Sequence, residues 1–236
     1  MRAGQRLERS LPGVRTRQHL RFGDPAMVMI AASRKADLLV IGTNRTGTLA
    51  GLVYGTLPLR VAGRSHCAVV VVPVDWQPRD ADVVAGWEQD GTGDTTIEFA
   101  AREAEQNAVS LVIVHAWNLP AAVDIVGFAS GSDLDGITAA HSLALAAATA
   151  PLRARHPALT VIEHAEVDSA ARLLVERSRG ASLLVVGSHG RGALGGLILG
   201  SVSHDVLMAM PVPVAVIPPA EDPITVLPEI LEEDLI

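Results

Sequence analysis

The chain has 236 residues, 49% hydrophobic and only 3% aromatic, which is enough for one large or two ordinary domains with Val, Leu and Ala cores. The single cysteine, Cys67, excludes an internal disulfide, no apolar run reaches the roughly 18 residues of a membrane span, and the first 21 residues, with six arginines and one acid, lack the apolar segment of a signal peptide, so a cytoplasmic protein is expected. The formal charge of −7 is concentrated in residues 219–236, which hold six acids and no base and read as a solvated acidic extension, while the near-neutral remainder offers no basic field for nucleic acid.

In chain order, residues 1–12 read as the end of a helix and 13–22 as a strand, both by alignment with a later repeat described below. Asp24-Pro25 starts a helix, with proline in the position that needs no N–H donor. Residues 37–41 form a strand, 56–63 a helix and 68–72 another strand. A short apolar run at 83–87 follows. Thr95-Thr-Ile-Glu98 is a capping-box pattern, in which the threonine hydroxyl satisfies a free backbone N–H and the glutamate reaches back, so a helix is predicted from there to Asn107. Residues 111–116 are a Val-rich strand. Beyond a Gly/Ser loop at 127–132, an alanine-rich helix runs to Arg155 and bends at Pro151, which has no N–H for the ladder. Residues 159–167 alternate like a strand, and Asp168 caps a helix that stops at Gly180. Residues 183–186 are a fully apolar strand, 201–210 a helix and 212–217 the last strand.

From residue 83 onward this is βαβαβαβαβ. Short apolar strands separated by helices indicate a parallel sheet covered on both faces, and right-handed crossovers favour an α/β fold with an open, doubly wound, Rossmann-like sheet.

The most informative stretch is Gly187-Ser-His-Gly190, a nine-residue spacer, then Gly200-Ser201. A decayed copy, Gly42-Thr-Asn-Arg45 with the same spacer before Gly55-Thr56, stands 145 residues earlier, and Pro73 and Pro218 keep the same offset. The chain is therefore a tandem repeat. The second copy is complete. The first begins too late to hold counterparts of the strands at 83–87 and 111–116, and a start codon placed too late accounts for that better than an evolved half-domain. The expected organisation is a partial first domain at 1–75, a complete second domain at 80–218 and an acidic tail at 219–236.

A strand ending at Val186 delivers Gly187 to the carboxyl edge of the sheet, where doubly wound folds bind ligands. Gly187 and Gly190 let the backbone approach a ligand with no Cβ in the way. Gly200-Ser201-Val202-Ser203 then opens a helix whose unpaired N–H groups and positive dipole end attract phosphate, with two hydroxyls to add hydrogen bonds. A lone GxxG is usually just a turn, but here the spacing, the strand before and the helix after favour a phosphate loop. A Walker A loop is excluded because Lys35 is the only lysine, and the same fact argues against a pyridoxal Schiff base. Gly91-Thr-Gly93 lacks the third glycine of the dinucleotide fingerprint.

The pattern G-x2-G-x9-G-[S/T], the strand before it and the run Ser203-His-Asp-Val-Leu-Met-Ala-Met-Pro-Val-Pro-Val-Ala-Val-Ile-Pro resemble the universal stress protein family in its tandem-domain form. Phe22-Gly-Asp-Pro-Ala26 is similar to the family's turn after its third strand. The resemblance implies strand order 3-2-1-4-5, so the first repeat lacks the two strands that separate its third from its fourth. Either the third strand moves beside the fourth, or the sheet is held by the second domain. It also implies an ATP-binding regulatory stress-response protein. The phosphates, with accompanying Mg²⁺, fall to Gly187, Gly190, Gly200, Ser201, Val202 and Ser203, and Val186 lies near the base. The family's acid after the first strand, usually in a Val-Asp-Gly-Ser run, aligns with Glu88 of Ala85-Gly-Trp-Glu88-Gln-Asp90, where Trp87 crowds or stacks on the base. Arg45 in place of a glycine, and the missing strands, argue against a nucleotide in the first repeat. The family also pairs the last strands of two domains, which points to residues 68–72 and 212–217.

Sharper chemistry finds less support. Ser203-His204-Asp205 cannot form a relay, because adjacent helix residues point about 100° apart. His189 and His204 lack a third metal ligand at recognisable spacing. His115 is a packed or rim histidine and Cys67 an inert core residue. With no assigned base, arginine finger or Mg²⁺ carboxylate cluster, the chain is not expected to be an enzyme beyond slow ATP hydrolysis. The alternative from another class is a nucleotide-independent interaction protein of the same fold.

Overall fold

Seven Val- and Leu-rich segments meet in one sheet in the computed structural model, which describes residues 3–11, 13–43, 56–89, 93–118, 131–188 and 199–219. In chain order the elements are α1 (Ala3–Ser10), α2 (Pro25–Ser33), β1 (Leu38–Thr43), α3 (Thr56–Ala62), β2 (Ala68–Pro73), β3 (Val83–Gly86), α4 (Gly93–Gln106), β4 (Leu111–Trp117), α5 (Gly131–Arg155), β5 (Val161–Val167), α6 (Ala170–Arg177), β6 (Leu183–Gly187), α7 (Ser201–Ala209) and β7 (Val214–Ile217). The sheet order is β1-β2-β7-β6-β3-β4-β5. All neighbouring pairs are parallel except β2 and β7, which run antiparallel.

The expected order 3-2-1-4-5 thus describes the second repeat's strands, β5-β4-β3-β6-β7, but not the whole sheet, which is mixed and continues into the first repeat. The two last strands pair within one chain, with Val70 opposite Ala215. Of the two outcomes open for the first repeat, the sheet is the one held by the second. Residues 13–22 form no strand. Their apolar side chains are bare, with Leu20 84% and Phe22 91% exposed. A strand needs a ladder partner for its N–H and C=O groups, and the described residues of the first repeat supply none beside this segment.

Because strand side chains alternate, the sheet buries one set on each face. One core joins Val69, Val71, Val84, Val114, Leu184, Val186, Val214 and Val216 to Val61, Leu173, Leu174, Val206 and Leu207 of α3, α6 and α7. The other joins Val83, Ala85, Leu111, Ile113, Val185 and Ala215 to Ile97, Ala100, Ala101 and Ala104 of α4 and to Leu145 and Leu152 of α5. Asp24 caps α2 by accepting from the N–H of Met27, and both its oxygens accept from Arg60 of α3, which holds its carboxyl below the usual carboxylate range.

Two helix starts differ from the sequence reading. Helix α4 begins at Gly93 rather than Thr95, and Glu98 accepts from Arg155 and His156 instead of serving only as a capping-box acid. Gly93 is required by packing: a Cβ there would stand 2.5 Å from Cδ1 of Trp87 and 3.0 Å from the Glu88 carbonyl. Helix α6 is capped by Ser169, one residue later than Asp168, whose carboxylate accepts from the Ser169 N–H and from Arg172. It ends at Arg177, and Gly180 turns the chain with φ +86°. Pro151 lies inside α5. Among the described residues no helix is long and apolar enough to cross a membrane.

Candidate functional site

β3 and β6 lie side by side and parallel. From β3 the chain enters α4 on one face of the sheet, and from β6 it enters α7 on the other. Their carboxyl ends therefore flank the kind of crevice in which open α/β sheets take ligands.

On the β6 side, Val186 is buried and Gly187 half-buried at the strand end. The N–H of Ser188 donates to the Ile217 carbonyl at 2.7 Å, and the N–H of Gly200 donates to the Ser188 carbonyl at 2.8 Å. The two ends of the glycine segment are thus tied together at the sheet edge. Gly200 is the N-cap of α7, in an extended conformation with no side-chain cap. The helix consequently starts with N–H groups that no side chain of its cap covers. Ser201 is exposed and Val202 half-buried at this end.

Ser203 is placed differently from its neighbours. It is 2% exposed, and its single hydroxyl proton is shared between the carbonyls of Ser188 (3.3 Å) and Gly200 (3.0 Å). Those bonds fix the closure of the loop. They also direct Ser203 away from His204, whose Nδ1 faces Asp205 at 3.1 Å on an exposed surface. Gly190, His189 and Arg45 lie outside the described residues.

On the β3 side, Glu88 is half-buried just beyond the strand. Trp87 is 7% exposed and belongs to the α4/α5 core, wedged against Gly93 and edge-on to His115 at 5.0 Å. Strand alternation explains this, since Trp87 shares the face of Val83 and Ala85.

His115 is a buried, satisfied histidine. Its Nδ1 meets the Trp87 carbonyl at 3.2 Å, so that nitrogen is the donor, and its Nε2 meets Nδ1 of His141 at 2.9 Å. His141 stacks on Trp117, with centroids 4.5 Å apart and planes 9° apart. Burial first, and then the neighbouring His115, hold the His141 pKa below the ordinary histidine value, with Glu88 opposing. Sequence reasoning missed this link between α5 and the ends of β3 and β4. The two histidines are 26 residues apart across a connection with no motif, so no local signal marks them as partners.

The family model described as the universal stress protein family matches residues 2–73 and 83–218. Universal stress protein Rv2005c of Mycobacterium tuberculosis is 34% identical over 204 residues, covering 85% of this chain and 68% of that protein. Universal stress protein Rv2623 of the same organism is 31% identical over 192 residues, covering 80% of this chain and 63% of that protein. The crystal structure of a universal stress protein from Archaeoglobus fulgidus superposes with a TM-score of 0.64 at 20% identity, covering 93% of this chain and 74% of that chain. The chain thus spans about two thirds of the length of these mycobacterial relatives.

Proposed function

Because the chain belongs to the universal stress protein family, we propose that it is an ATP-binding regulatory protein of the stress response, with a single nucleotide site in its second repeat. The observation that carries this reading is the tie from Gly200 to Ser188, which sets the open start of α7 beside the end of β6. Phosphate oxygens accept from the backbone N–H groups of Gly187, Gly190, Ser201 and Val202, helped by the helix dipole and the Ser201 hydroxyl. Val186 lies toward the base and Glu88 toward the nucleoside, while Ser203 acts through the loop closure and not by contact. Any Mg²⁺ arrives with the phosphates.

Two ordinary consequences follow from this arrangement. Loop ends already tied together lower the ordering cost of binding, and a ligand held by both β6 and α7 stabilises the folded chain by mass action. Regulation then amounts to occupancy. Titration of the whole chain with ATP in a calorimeter tests the reading: saturable heat accompanied by a rise in melting temperature is expected, and neither effect at millimolar ATP would refute it.

A second reading, an interaction protein, is favoured by the exposed apolar side chains of Leu38 and Val40 on β1.

A further inference from the structure

The end of α3 belongs to the first repeat, yet it abuts the glycine loop of the second. Ala62 is the last residue of α3, and the N–H of Gly63 still donates to the Leu59 carbonyl at 3.0 Å, so Gly63 closes the final turn. Among the described residues the glycines with positive φ are Gly13, Gly23 and Gly180, so the backbone at Gly63 makes no use of glycine's conformational freedom. What this position requires is space. A Cβ there would stand 3.2 Å from the backbone nitrogen of Leu199, 3.4 Å from the Leu199 Cβ and 3.3 Å from the Leu59 carbonyl of α3 itself.

Leu199 is the residue before Gly200, whose N–H closes the loop on the Ser188 carbonyl at 2.8 Å. Its side chain packs against the core that holds Val61 and Ala62 of α3 together with Val206, Leu207 and Met210. The contact with Gly63 therefore lies one residue from the closure. A close-packed interior transmits a shift of a few tenths of an ångström at Leu199 instead of absorbing it.

The fit is one-sided. Val70 and Ala215, equivalent residues at the 145-residue offset, stand opposite each other in the antiparallel seam, so the two repeats are related there by a local two-fold. By the same offset Gly63 corresponds to Met208, which lies inside α7. The second repeat thus has a long side chain at the place where the first repeat has none.

We propose that the end of α3 is a positioning element for the phosphate loop of the second repeat, and that Gly63 is the residue through which the first repeat sets the affinity of that loop for a phosphate-bearing ligand. The inference rests on the ATP-binding reading above and adds to it a task for the repeat that holds no nucleotide of its own. With Gly63 in place, the Leu199 backbone seats against α3 and holds Gly200 where its N–H reaches Ser188 and α7 opens toward the ligand. The position of α3 and the occupancy of the loop are linked in both directions. Whatever moves α3 changes the affinity, and a bound phosphate steadies α3.

Hydrogen exchange by NMR in the ligand-free, full 236-residue protein is the first readout. Gly63→Ala should speed exchange of the Gly200 amide by about threefold to tenfold, the equivalent of weakening one hydrogen bond, while the Ser188 amide, which donates to Ile217, keeps its protection. A general loss of stability would move both amides together. Leu199→Ala loosens the same contact from the loop side without adding bulk to α3, so it is expected to act in the same direction even if Gly63→Ala fails to fold. Titration of the same variants with ATP is the second readout, and affinity is expected to fall by a similar factor. The proposal is overturned if Gly200 exchange is unchanged or rises only in step with Ser188, or if it rises while ATP affinity stays the same. A wild type that binds no ATP overturns the phosphate-loop reading and with it the effect on affinity, and the ligand-free exchange then shows separately whether α3 holds Gly200.

Discussion

Ser201 and Ser203 sit two residues apart in one motif and have different tasks. Ser201 is exposed at the first turn of α7, whereas Ser203 is buried with its hydroxyl committed to the Ser188 and Gly200 carbonyls. Ser203→Ala should therefore cost about 1 kcal/mol in the ligand-free protein, the usual net value of such bonds, and lower the melting temperature by about 2–4 °C for a chain of this size. Ser201→Ala should leave ligand-free melting unchanged and weaken ATP binding alone. Paired thermal melts with and without ATP distinguish the two, and equal losses in both variants would refute the division. Gly93→Ala is the sharper packing test. The new Cβ meets a wedged indole and a backbone carbonyl, neither of which can swing away, so a loss of about 1–3 kcal/mol is expected in urea unfolding. From sequence, Ser201 and Ser203 look interchangeable, because a motif records spacing and not which hydroxyl is turned inward. The Trp87 ring enters the α4/α5 core because its strand face, and not its proximity to Glu88, decides where it goes.

At the scale of elements, α4 and α5 are joined by His156, whose Nδ1 lies 2.8 Å from Glu105 and whose Nε2 lies 3.3 Å from Glu98. The hydrogen bond to Glu105 raises the His156 pKa above its ordinary 6.5, against burial and with help from Glu98. A raised folded-state value means that the charged form stabilises the fold. That stabilisation is complete below the unfolded value of 6.5 and disappears as pH rises through the folded value. Burial raises the Glu98 pKa, but hydrogen bonds from Arg155 and His156 outweigh it, so the value is lowered and the Glu98 contribution disappears only as pH falls into the acid range. The stability gap between wild type and His156→Gln should be widest near about pH 6 and close toward alkaline pH. Urea midpoints across pH measure it, and a gap that widens with pH would contradict the assignment. Elements with continuous apolar runs, such as β2 and β6, were legible to within a residue or two because burial on both faces leaves an unbroken signal. The failure at residues 13–22 has the opposite origin. The segment keeps the pattern of a repeat, but a strand is a property of its neighbours as much as of its own side chains.

For the whole molecule, the decisive feature is the seam between β2 and β7. It joins two repeats into a single sheet with shared cores on both faces, and Val69, Val71, Val214 and Val216 lie in one core together. Calorimetric unfolding should give one transition, and two resolved transitions would show that the repeats are independent. The tandem organisation was readable from the 145-residue offset, and pairing of the last strands from the family resemblance. The second repeat has the β3 and β6 ends side by side, the crevice on which the functional reading rests. The most direct test of a single site in the second repeat is the stoichiometry of ATP binding to the whole chain by calorimetry. The account predicts one ATP per chain, abolished by Gly200→Val in a protein that retains its circular dichroism, and two per chain, or binding that survives Gly200→Val, would contradict it.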